Sequence, residues 1–271
     1  MATAPDSVLT VERDGHVATL WLDNPDKRNA LGLPFWRDMP GVIDELEDDD
    51  DVRAIVIAGR GVCFSAGIDV AFLGGGVGSL APETGMFKGL RNIKRLQHAI
   101  TAVAECSKPT IAAVHGWCVG AGVDLITACD IRVCSSDAKF SVRETKLAIV
   151  ADVGTLQRLP RIVAAGHVAE LALTGKDIDA DRAARIGLVN DVYPDAEAVL
   201  KGARELAGEI AALSPSAVQG TKHVLRHAAD HSVNDGLDYV ALWNSSQLPR
   251  GDVQEAIAAF MEKRPPQFTG E

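Results

Sequence analysis

The chain has 271 residues, of which 47% are hydrophobic and 24% are charged, a composition typical of a globular protein that buries a sizeable core without staples. No apolar run approaches the roughly 18 residues that a membrane span needs, which argues against an integral membrane protein. The formal net charge of −10 argues against a general binder of nucleic-acid backbones, although a few local cations can still hold a small polyanionic ligand.

The sequence up to about residue 190 predicts alternating strands and helices. Two alternating segments flank the tight-turn signal Asp14–Gly15 and predict a hairpin. A helix over 34–47, which Pro40 interrupts, and a buried strand over 52–58 follow. The later predicted elements are a helix over 87–105, a strand over 109–114, a glycine-punctuated turn over 116–122, a short buried helix over 123–129, and strands over 131–133 and 140–142. This alternation favours the α/β class.

After Tyr193–Pro194 the pattern predicts helices alone. They cover 196–213, 215–229, 233–247 and 253–262. We therefore divide the chain into a core over 1–195 and a C-terminal helical region over 196–271.

Two further patterns favour ordinary structure over a ligand site. The segment Gly74–Gly78 lacks the lysine and the spacing of nucleotide-binding loops, so we interpret it as a mobile loop. His223, His227 and His231 share one helix face and could bind a metal, but no neighbouring carboxylate motif such as HExxH supports this. We expect a solvated or interface face there, and no metal site.

The cysteines indicate a reducing compartment. Their number is odd and they include no CxxC pair, which argues against a disulfide framework or a zinc site. They are Cys63, Cys106, Cys118, Cys129 and Cys134. Residues 1–15 lack the features of a secretory signal, and Phe268–Glu271 is not a peroxisomal tripeptide. We therefore expect a cytoplasmic protein.

The segment Cys118–Asp124 joins a predicted strand to an apolar helix and contains Gly120 and Gly122. Small residues let the backbone approach a ligand, and exposed N–H groups at the start of a helix stabilise negative charge. Tight packing also requires small residues, so the segment alone does not decide between a ligand site and a packing role.

Three acids are candidates for proton-transfer chemistry. Asp124 lies in an apolar run, Glu144 follows a predicted strand, and Asp152 lies in an aliphatic stretch. Burial and mutual repulsion raise the pKa of at least one member of such a group, which would provide an acid and a base at neutral pH. The structural alternative is that Asp124 caps a helix, Glu144 pairs with an arginine, and Asp152 caps a helix over 155–161.

Four segments of the chain resemble the crotonase superfamily, the enoyl-CoA hydratase/isomerase fold. Asn24–Leu31 is similar to its N-terminal CoA-contacting loop, and Phe64–Val70 is similar to its F-x-A-G-x-D segment. His115–Asp124, followed by Ala128–Arg132, resembles the second signature, and Gly154–Pro160 resembles the stretch after the catalytic region. Their order and spacing agree with the family from about residue 8 to residue 262.

The resemblance implies a spiral of ββα units with a helical trimerisation region, assembled as a homotrimer or a dimer of trimers. It also implies an acyl-CoA thioester substrate whose carbonyl oxygen is held by two backbone N–H groups. By position these donors are Ile68 and Ala121. Proton removal next to a thioester builds an enolate, and preorganised donors stabilise its oxygen.

The resemblance also implies where the substrate and its CoA group bind. Lys27 and Arg28 fall where the family contacts the CoA nucleotide, and they would supply the local positive charge that the acidic chain lacks. The full implied set is Lys27, Arg28, Ala30, Ala66, Gly67, Ile68, Asp69, Val70, Gly120, Ala121 and Gly122. No metal, nicotinamide or flavin is implied, and coenzyme A is part of the substrate.

Within the family, Asp124, Glu144 and Asp152 together resemble the dienoyl-CoA isomerase branch, which converts 3,5-dienoyl-CoA into conjugated 2,4-dienoyl-CoA. Hydratases usually carry a glutamate in place of Asp124 and a small residue in place of Asp152. The dienoyl shift removes a proton at C2 and delivers one at C6, so acids at two depths of the pocket are expected. We assign Glu144 as the base at C2 and Asp152 as the acid at C6. Asp124 would tune or orient this pair or position a water, and the three acids can titrate as a coupled unit.

The chain is thus predicted to be a dienoyl-CoA isomerase of fatty-acid β-oxidation, and two alternatives stay open. An enoyl-CoA hydratase would activate water with Asp124 and Glu144 and would not need Asp152. A non-catalytic acyl-CoA-binding or scaffold protein would bind CoA esters without turnover, although the retained acids weigh against it. We expect no nucleic-acid or membrane partner. Side chains from the 72–90 loop and the C-terminal helices would set the acyl chain length.

Overall fold

The computed structural model describes residues 6–73, 86–248 and 250–271. It is a mixed α/β structure with helices at its C-terminal end, which confirms the predicted class. Gly74–Gly78 and most of the predicted 72–90 loop lie outside the described residues. Within the described ranges, no helix combines the length and the apolar character that crossing a bilayer requires.

The described strands form two sheets. They are β1 (Leu9–Asp14), β2 (Val17–Leu22), β3 (Ala54–Gly59), β4 (Thr110–Val114), β5 (Trp117–Val119), β6 (Ile131–Ser135), β7 (Lys139–Ser141), β8 (Ile178–Asp179) and β9 (Asp191–Tyr193). The larger sheet has the order β1-β2-β3-β4-β6-β9, and the smaller has the order β5-β7-β8. The predicted hairpin β1–β2 is confirmed, with Asp14 paired to Val17 and Gly15 between them at a φ of 54°. All other pairings in the larger sheet are parallel.

Helices cover the larger sheet and form the C-terminal region. They are α1 (Leu33–Asp48), α2 (Val70–Leu73), α3 (Met86–Glu105), α4 (Ala121–Ala128), α5 (Thr155–Arg158), α6 (Ala165–Thr174), α7 (Ala180–Arg185), α8 (Ala196–Ala211), α9 (Pro215–Ala228), α10 (Val233–Gln247) and α11 (Arg250–Glu262). Short 3-10 turns lie at Pro25–Lys27, Glu144–Leu147 and Leu159–Arg161. The last four helices, α8 to α11, confirm the helices predicted after Tyr193–Pro194.

The parallel strands are buried on both faces, as β3 shows. Its residues Ile55 and Ile57 belong to the core that also contains the apolar faces of α1, α3 and α4. Ala54 and Val56, which point to the other face, pack in the core that α8 covers. Because successive strand side chains alternate, one short apolar strand supplies both cores. This rigid layer fixes the loops at the strand ends, where the site residues lie.

The structure corrects two local predictions. The helix α1 is not interrupted at Pro40 but continues to Asp48. A proline inside a helix removes one hydrogen bond at a cost of about 3 kcal/mol. Six buried side chains of α1, each contributing roughly 1.5–3 kcal/mol, offset this cost. The predicted turn over 116–122 contains the strand β5, which is too short to show alternation between its flanking glycines.

Candidate active site

One cavity of about 470 Å³ collects most of the predicted site residues. Its lining includes Arg28, Ala66, Gly67, Ile68, Val70, Gly120, Ala121, Asp124, Glu144 and Asp152. Trp36, Leu96 and Ile149 add apolar wall to the same cavity. An apolar cavity with a few convergent polar groups is the usual form of a small-molecule site.

Four residues of the predicted substrate- and CoA-binding set do not line this cavity. They are Lys27, Ala30, Asp69 and Gly122. Lys27 is exposed and its Nζ is 3.3 Å from Asp69 Oδ2, so it would have to exchange this carboxylate for a phosphate to contact CoA. Ala30 donates its N–H to the Lys27 carbonyl. A Cβ at Gly122 would lie 3.2 Å from Ser65 Cβ, so Gly122 permits close packing. A direct contact of these four residues with the substrate stays a prediction.

The two predicted backbone donors are unpaired within the described part of the chain. Ile68 forms a β-bridge with Leu31, but the hydrogen bonds of this bridge come from the residues on either side of Ile68. Gly67 O accepts from Leu31 N, and Asp69 N donates to Leu31 O. The N–H of Ile68 itself donates to no protein acceptor there. Ala121 is the first residue of α4, where an N–H has no partner within the helix. Both groups are therefore free to donate to a substrate oxygen.

Glycine brings the two donor segments together. Gly67 has a φ of +91°, and a Cβ there would lie 2.6 Å from Val119 O and 3.8 Å from Ala121 N. A side chain at this position would therefore force the segments apart. Ser65 Oγ holds the same turn, because it accepts from Gly67 N at 3.1 Å and donates to Asn29 O at 2.8 Å.

Asp124 is 1% exposed and lies in the first turn of α4. Its Oδ1 accepts the Thr155 N–H at 2.5 Å, so it caps α5, as the structural alternative predicted. Burial raises the pKa of Asp124 to about 6, while the hydrogen bond from Thr155 N–H opposes that shift. Asp124 therefore combines a structural contact with a position on the cavity wall.

Glu144 follows β7 in a 3-10 turn and forms no ion pair with any arginine in the described ranges, so that alternative is wrong. The adjacent Arg143 pairs instead with Asp177. Glu144 Oε2 is buried and has no hydrogen-bond partner among the described residues. Burial, and then the negative charge of Asp124, raise the pKa of Glu144 to about 7. A carboxyl with this pKa and one oxygen without a partner can accept or donate a proton at neutral pH.

Asp152 is half-buried, and its carboxyl does not cap the following helix, which corrects the capping interpretation. The first N–H of α5 is bonded to Asp124. The backbone carbonyl of Asp152 accepts from Gln97 Nε2 at 2.6 Å. Burial raises the pKa of the Asp152 carboxyl, which favours its protonated form. The three acids thus line one cavity, and each has a raised pKa.

The predicted histidine face packs against α10. The His227 ring lies 3.8 Å from the rings of both His231 and Tyr239, and His223 stacks on Trp243 at 4.6 Å. In the ranges that the structure covers, no group of three or more His, Cys, Asp or Glu side chains is arranged to hold a metal ion. All five cysteines are free and buried.

Ser65, Gln97 and Arg158 are site-supporting residues that we did not predict. Ser65 occupies the variable position of the F-x-A-G-x-D segment, so the segment itself could have drawn attention to it. Gln97 contacts a residue 55 positions away, and no local pattern identifies it. Arg158 belongs to the segment Gly154–Pro160, but its partner Thr101 is 57 positions away in the sequence.

Comparisons with known proteins give one consistent result. The family model for enoyl-CoA hydratase/isomerase matches residues 12–271. A Dictyostelium discoideum protein named "Delta(3,5)-Delta(2,4)-dienoyl-CoA isomerase, mitochondrial" is 46% identical, over 93% of this chain and 87% of its own length. The Arabidopsis thaliana protein of the same name, "peroxisomal", is 44% identical, over 96% and 95%. The crystal structure of an enoyl-CoA hydratase from Bacillus anthracis has a TM-score of 0.90 and 28% identity, covering 98% of this chain and 100% of that one.

Proposed function

Because the chain belongs to the enoyl-CoA hydratase/isomerase family and has the crotonase fold, we propose that this enzyme converts 3,5-dienoyl-CoA into 2,4-dienoyl-CoA. The observation that carries the proposal is one cavity that joins three acids of raised pKa to two unpaired backbone N–H groups. The names of the relatives at 46% and 44% identity support the same reaction.

The reaction begins at C2, next to the thioester. The carbonyl oxygen accepts hydrogen bonds from Ile68 N–H and Ala121 N–H, and the positive end of the α4 dipole lies beside it. The ionised Glu144 carboxylate removes the C2 proton. The electron pair of the broken C–H bond spreads through the diene to the oxygen as an extended enolate. The two N–H groups stabilise the charge that develops there.

The second proton transfer occurs at C6. The protonated Asp152 carboxyl donates its proton to C6, and the electron pair returns from the enolate oxygen through the chain. The double bonds then lie at C2 and C4, and no atom is gained or lost. Glu144 ends protonated and Asp152 ends ionised, so before the next turnover Glu144 releases its proton to solvent and Asp152 takes one up from solvent.

Asp124 acts through its neighbours in this proposal. Its bond to Thr155 N–H fixes the start of α5 directly after the segment that carries Asp152. Its negative charge raises the pKa of Glu144. Asp124 therefore tunes the base and helps to orient the acid.

An absorbance assay tests the proposal directly. Wild-type protein is given 3,5-octadienoyl-CoA, whose conjugated product absorbs at longer wavelength, and crotonyl-CoA is run in parallel to measure hydration. We expect fast isomerisation and weak hydration. Asp152→Asn should lower isomerisation at least 100-fold and spare any hydration activity. Hydration without a dienoyl signal would favour the hydratase, and tight binding of CoA esters without any turnover would favour a scaffold protein.

We also propose that the chain consists of a core over 1–195 and a helical region over 196–271. The helical region assembles the chain into a homotrimer or a dimer of trimers. The helices α10 and α11 expose large apolar side chains, and Phe260 is 83% exposed. The others are Val233, Leu237, Leu242, Val253, Ile257 and Met261. Apolar surface of this kind marks a contact with another chain. Light scattering that gives the mass of a monomer would contradict this assembly.

The remaining expectations have their own tests. We propose that the enzyme needs no metal, nicotinamide or flavin, so that activity survives dialysis against EDTA.

A cytoplasmic localisation rests on the five free, buried cysteines, which suit a reducing compartment. The two named relatives are mitochondrial and peroxisomal. Fluorescence of a tagged full-length chain in its own cells would decide among these compartments.

A further inference from the structure

Side chains from two helices hold two consecutive backbone carbonyls beside the cavity. Gln97 Nε2 on α3 donates to Asp152 O at 2.6 Å. Arg158 Nη1 on α5 donates to Val153 O at 3.3 Å, and its Nη2 donates to Thr101 Oγ1 at 3.0 Å. Gln97 and Thr101 lie one turn apart on the same face of α3. The helix α3 is thereby tied to the segment that carries the third acid.

The next two residues are fixed as well. Gly154 has a φ of +137°, and a Cβ there would lie 1.8 Å from Arg158 Nη1, so the guanidinium packs directly on the Gly154 backbone. Thr155 N–H is bonded to Asp124. Contacts therefore hold the backbone at four consecutive positions, 152–155.

We propose that Gln97 and Arg158 are positioning residues that place the Asp152 carboxyl at the C6 end of the substrate. They act on its backbone and do not touch the reacting atoms. An aspartate carboxyl is only two rotatable bonds from the main chain, so its place in the cavity follows closely from the place of Cα. A displacement of about 1 Å can lower a rate about 100-fold. This inference rests on the proposed function, because it assumes that Asp152 delivers the second proton.

Electrostatics supports the same assignment for Arg158. Its guanidinium acts on Asp124 and partly offsets the effect of burial on the pKa of that carboxyl. Burial in turn lowers the pKa of Arg158, and the Asp124 charge opposes this shift. The arginine therefore acts on Asp124 by charge and holds the backbone next to Asp152 by a hydrogen bond to Val153 O.

The test is Gln97→Leu, with His98→Leu as its control. His98 is the exposed neighbour of Gln97 on α3 and lies outside the cavity lining. In Gln97→Leu we expect kcat for 3,5-octadienoyl-CoA to fall roughly 10- to 100-fold while KM changes less than about 2-fold. Incorporation of deuterium at C2 of unreacted substrate in D2O, a step that needs Glu144 and the two backbone donors but not Asp152, should stay within about 2-fold of wild type. His98→Leu should match wild type in each measurement.

A second pair of variants tests the contact with Arg158. Thr101→Val removes the hydroxyl that anchors the guanidinium, whereas Thr101→Ser keeps it. We expect wild-type rates for serine, which keeps the hydroxyl. For valine we expect kcat to fall only roughly 2- to 10-fold, because Arg158 keeps its bond to Val153 O.

The outcomes separate this inference from the function on which it rests. If Gln97→Leu keeps the wild-type kcat while Asp152→Asn loses isomerisation, the positioning role is wrong and the proposed function stands. If Gln97→Leu loses C2 exchange and isomerisation to the same extent, the contact serves the site in general, and the assignment to Asp152 is wrong. A wild-type protein that does not isomerise the dienoyl substrate contradicts both proposals.

Discussion

The region where α9 meets the larger sheet and the cavity both bury charged side chains, but they treat the charge in opposite ways. Where α9 meets the larger sheet, Lys222 is 7% exposed and Lys108 is 3% exposed. Lys222 Nζ lies 2.7 Å from Asp130 Oδ2 and also donates to Lys108 O. Lys108 Nζ donates to the carbonyls of Leu46 and Asp49. Each buried ammonium group in this region has hydrogen-bond partners.

The cavity lacks this pairing. Glu144 Oε2 is buried without a partner in the described part of the molecule, and the nearby negative charge of Asp124 opposes its ionisation. A buried polar group without a partner destabilises a fold, so the arrangement would be lost if it served stability alone. Paired buried charges thus hold the fold together, whereas the cavity acids have raised pKa values, and Glu144, which has an oxygen without a partner, remains available for proton transfer.

The largest expected effect comes from removing the unpaired base. Glu144→Gln keeps the shape of the side chain but cannot accept a proton, so we expect kcat to fall roughly 1,000-fold. The absorbance assay with 3,5-octadienoyl-CoA measures this loss. The fold should be retained, since no salt bridge is broken. A variant with more than a tenth of wild-type kcat would contradict the role of Glu144.

Gly67→Ala should have the next largest effect, because it perturbs the backbone donors and leaves all three acids in place. The new Cβ would meet Val119 O at 2.6 Å and displace the segment that carries the Ile68 N–H. Loss of one such donor lowers kcat roughly 100- to 1,000-fold. Gly41, which has open space around its Cβ position, offers a matched control. Equal rates for Gly67→Ala and Gly41→Ala would argue against the donor site.

Lys222→Met should show the reverse pattern, with stability lost and catalysis kept. It removes the cation and leaves Asp130 with its bonds to Thr110. Breaking a buried pair costs roughly 3–5 kcal/mol, and the lower value applies here because Asp130 is 33% exposed. Urea unfolding measures the loss. At 20 °C kcat should match wild type. A large fall in kcat without a change in the unfolding midpoint would contradict the structural role of Lys222.

The smallest effect concerns pH and stability. Folding raises the pKa of Glu144 from 4.5 to about 7, so between these values the folded chain holds a proton that the unfolded chain has released. Stability contributed by this group is therefore lost as pH rises through that window. Glu144→Gln should exceed wild type in Tm by a few degrees at pH 8 and lose that advantage at pH 5. A constant Tm difference across this range would show that the pKa of Glu144 is not raised.

The strongly patterned parts of the fold were predictable from the sequence. The hairpin was marked by Asp14–Gly15, and the C-terminal helices by their periodicity and by the absence of strands after Tyr193. The strand β5 and the continuation of α1 through Pro40 were not predictable, because packing against distant residues determines both. Local sequence could not show how much apolar surface α1 buries.

The candidate site was predictable as a set of residues but not as a set of contacts. Capping and catalysis were treated as alternatives for Asp124, yet its carboxyl caps α5 and lines the cavity at once. The sequence placed an arginine directly before Glu144, but Arg143 turns to Asp177 and leaves the acid unpaired. The three-dimensional path of the chain determines which side chains pair. That two residues are adjacent in the sequence does not determine it.

The location of deuterium in the product tests the central claim most directly. Wild-type protein converts 3,5-octadienoyl-CoA in D2O, and NMR of the product locates the label. Two separate acids predict a 2,4-dienoyl product with one deuterium at C6, because the proton on Asp152 comes from solvent and the proton from C2 stays on Glu144. A product with only protium at C6 would mean that one group carries the proton from C2 to C6. A label at C4 in a 2,5-dienoyl product would contradict the dienoyl shift itself.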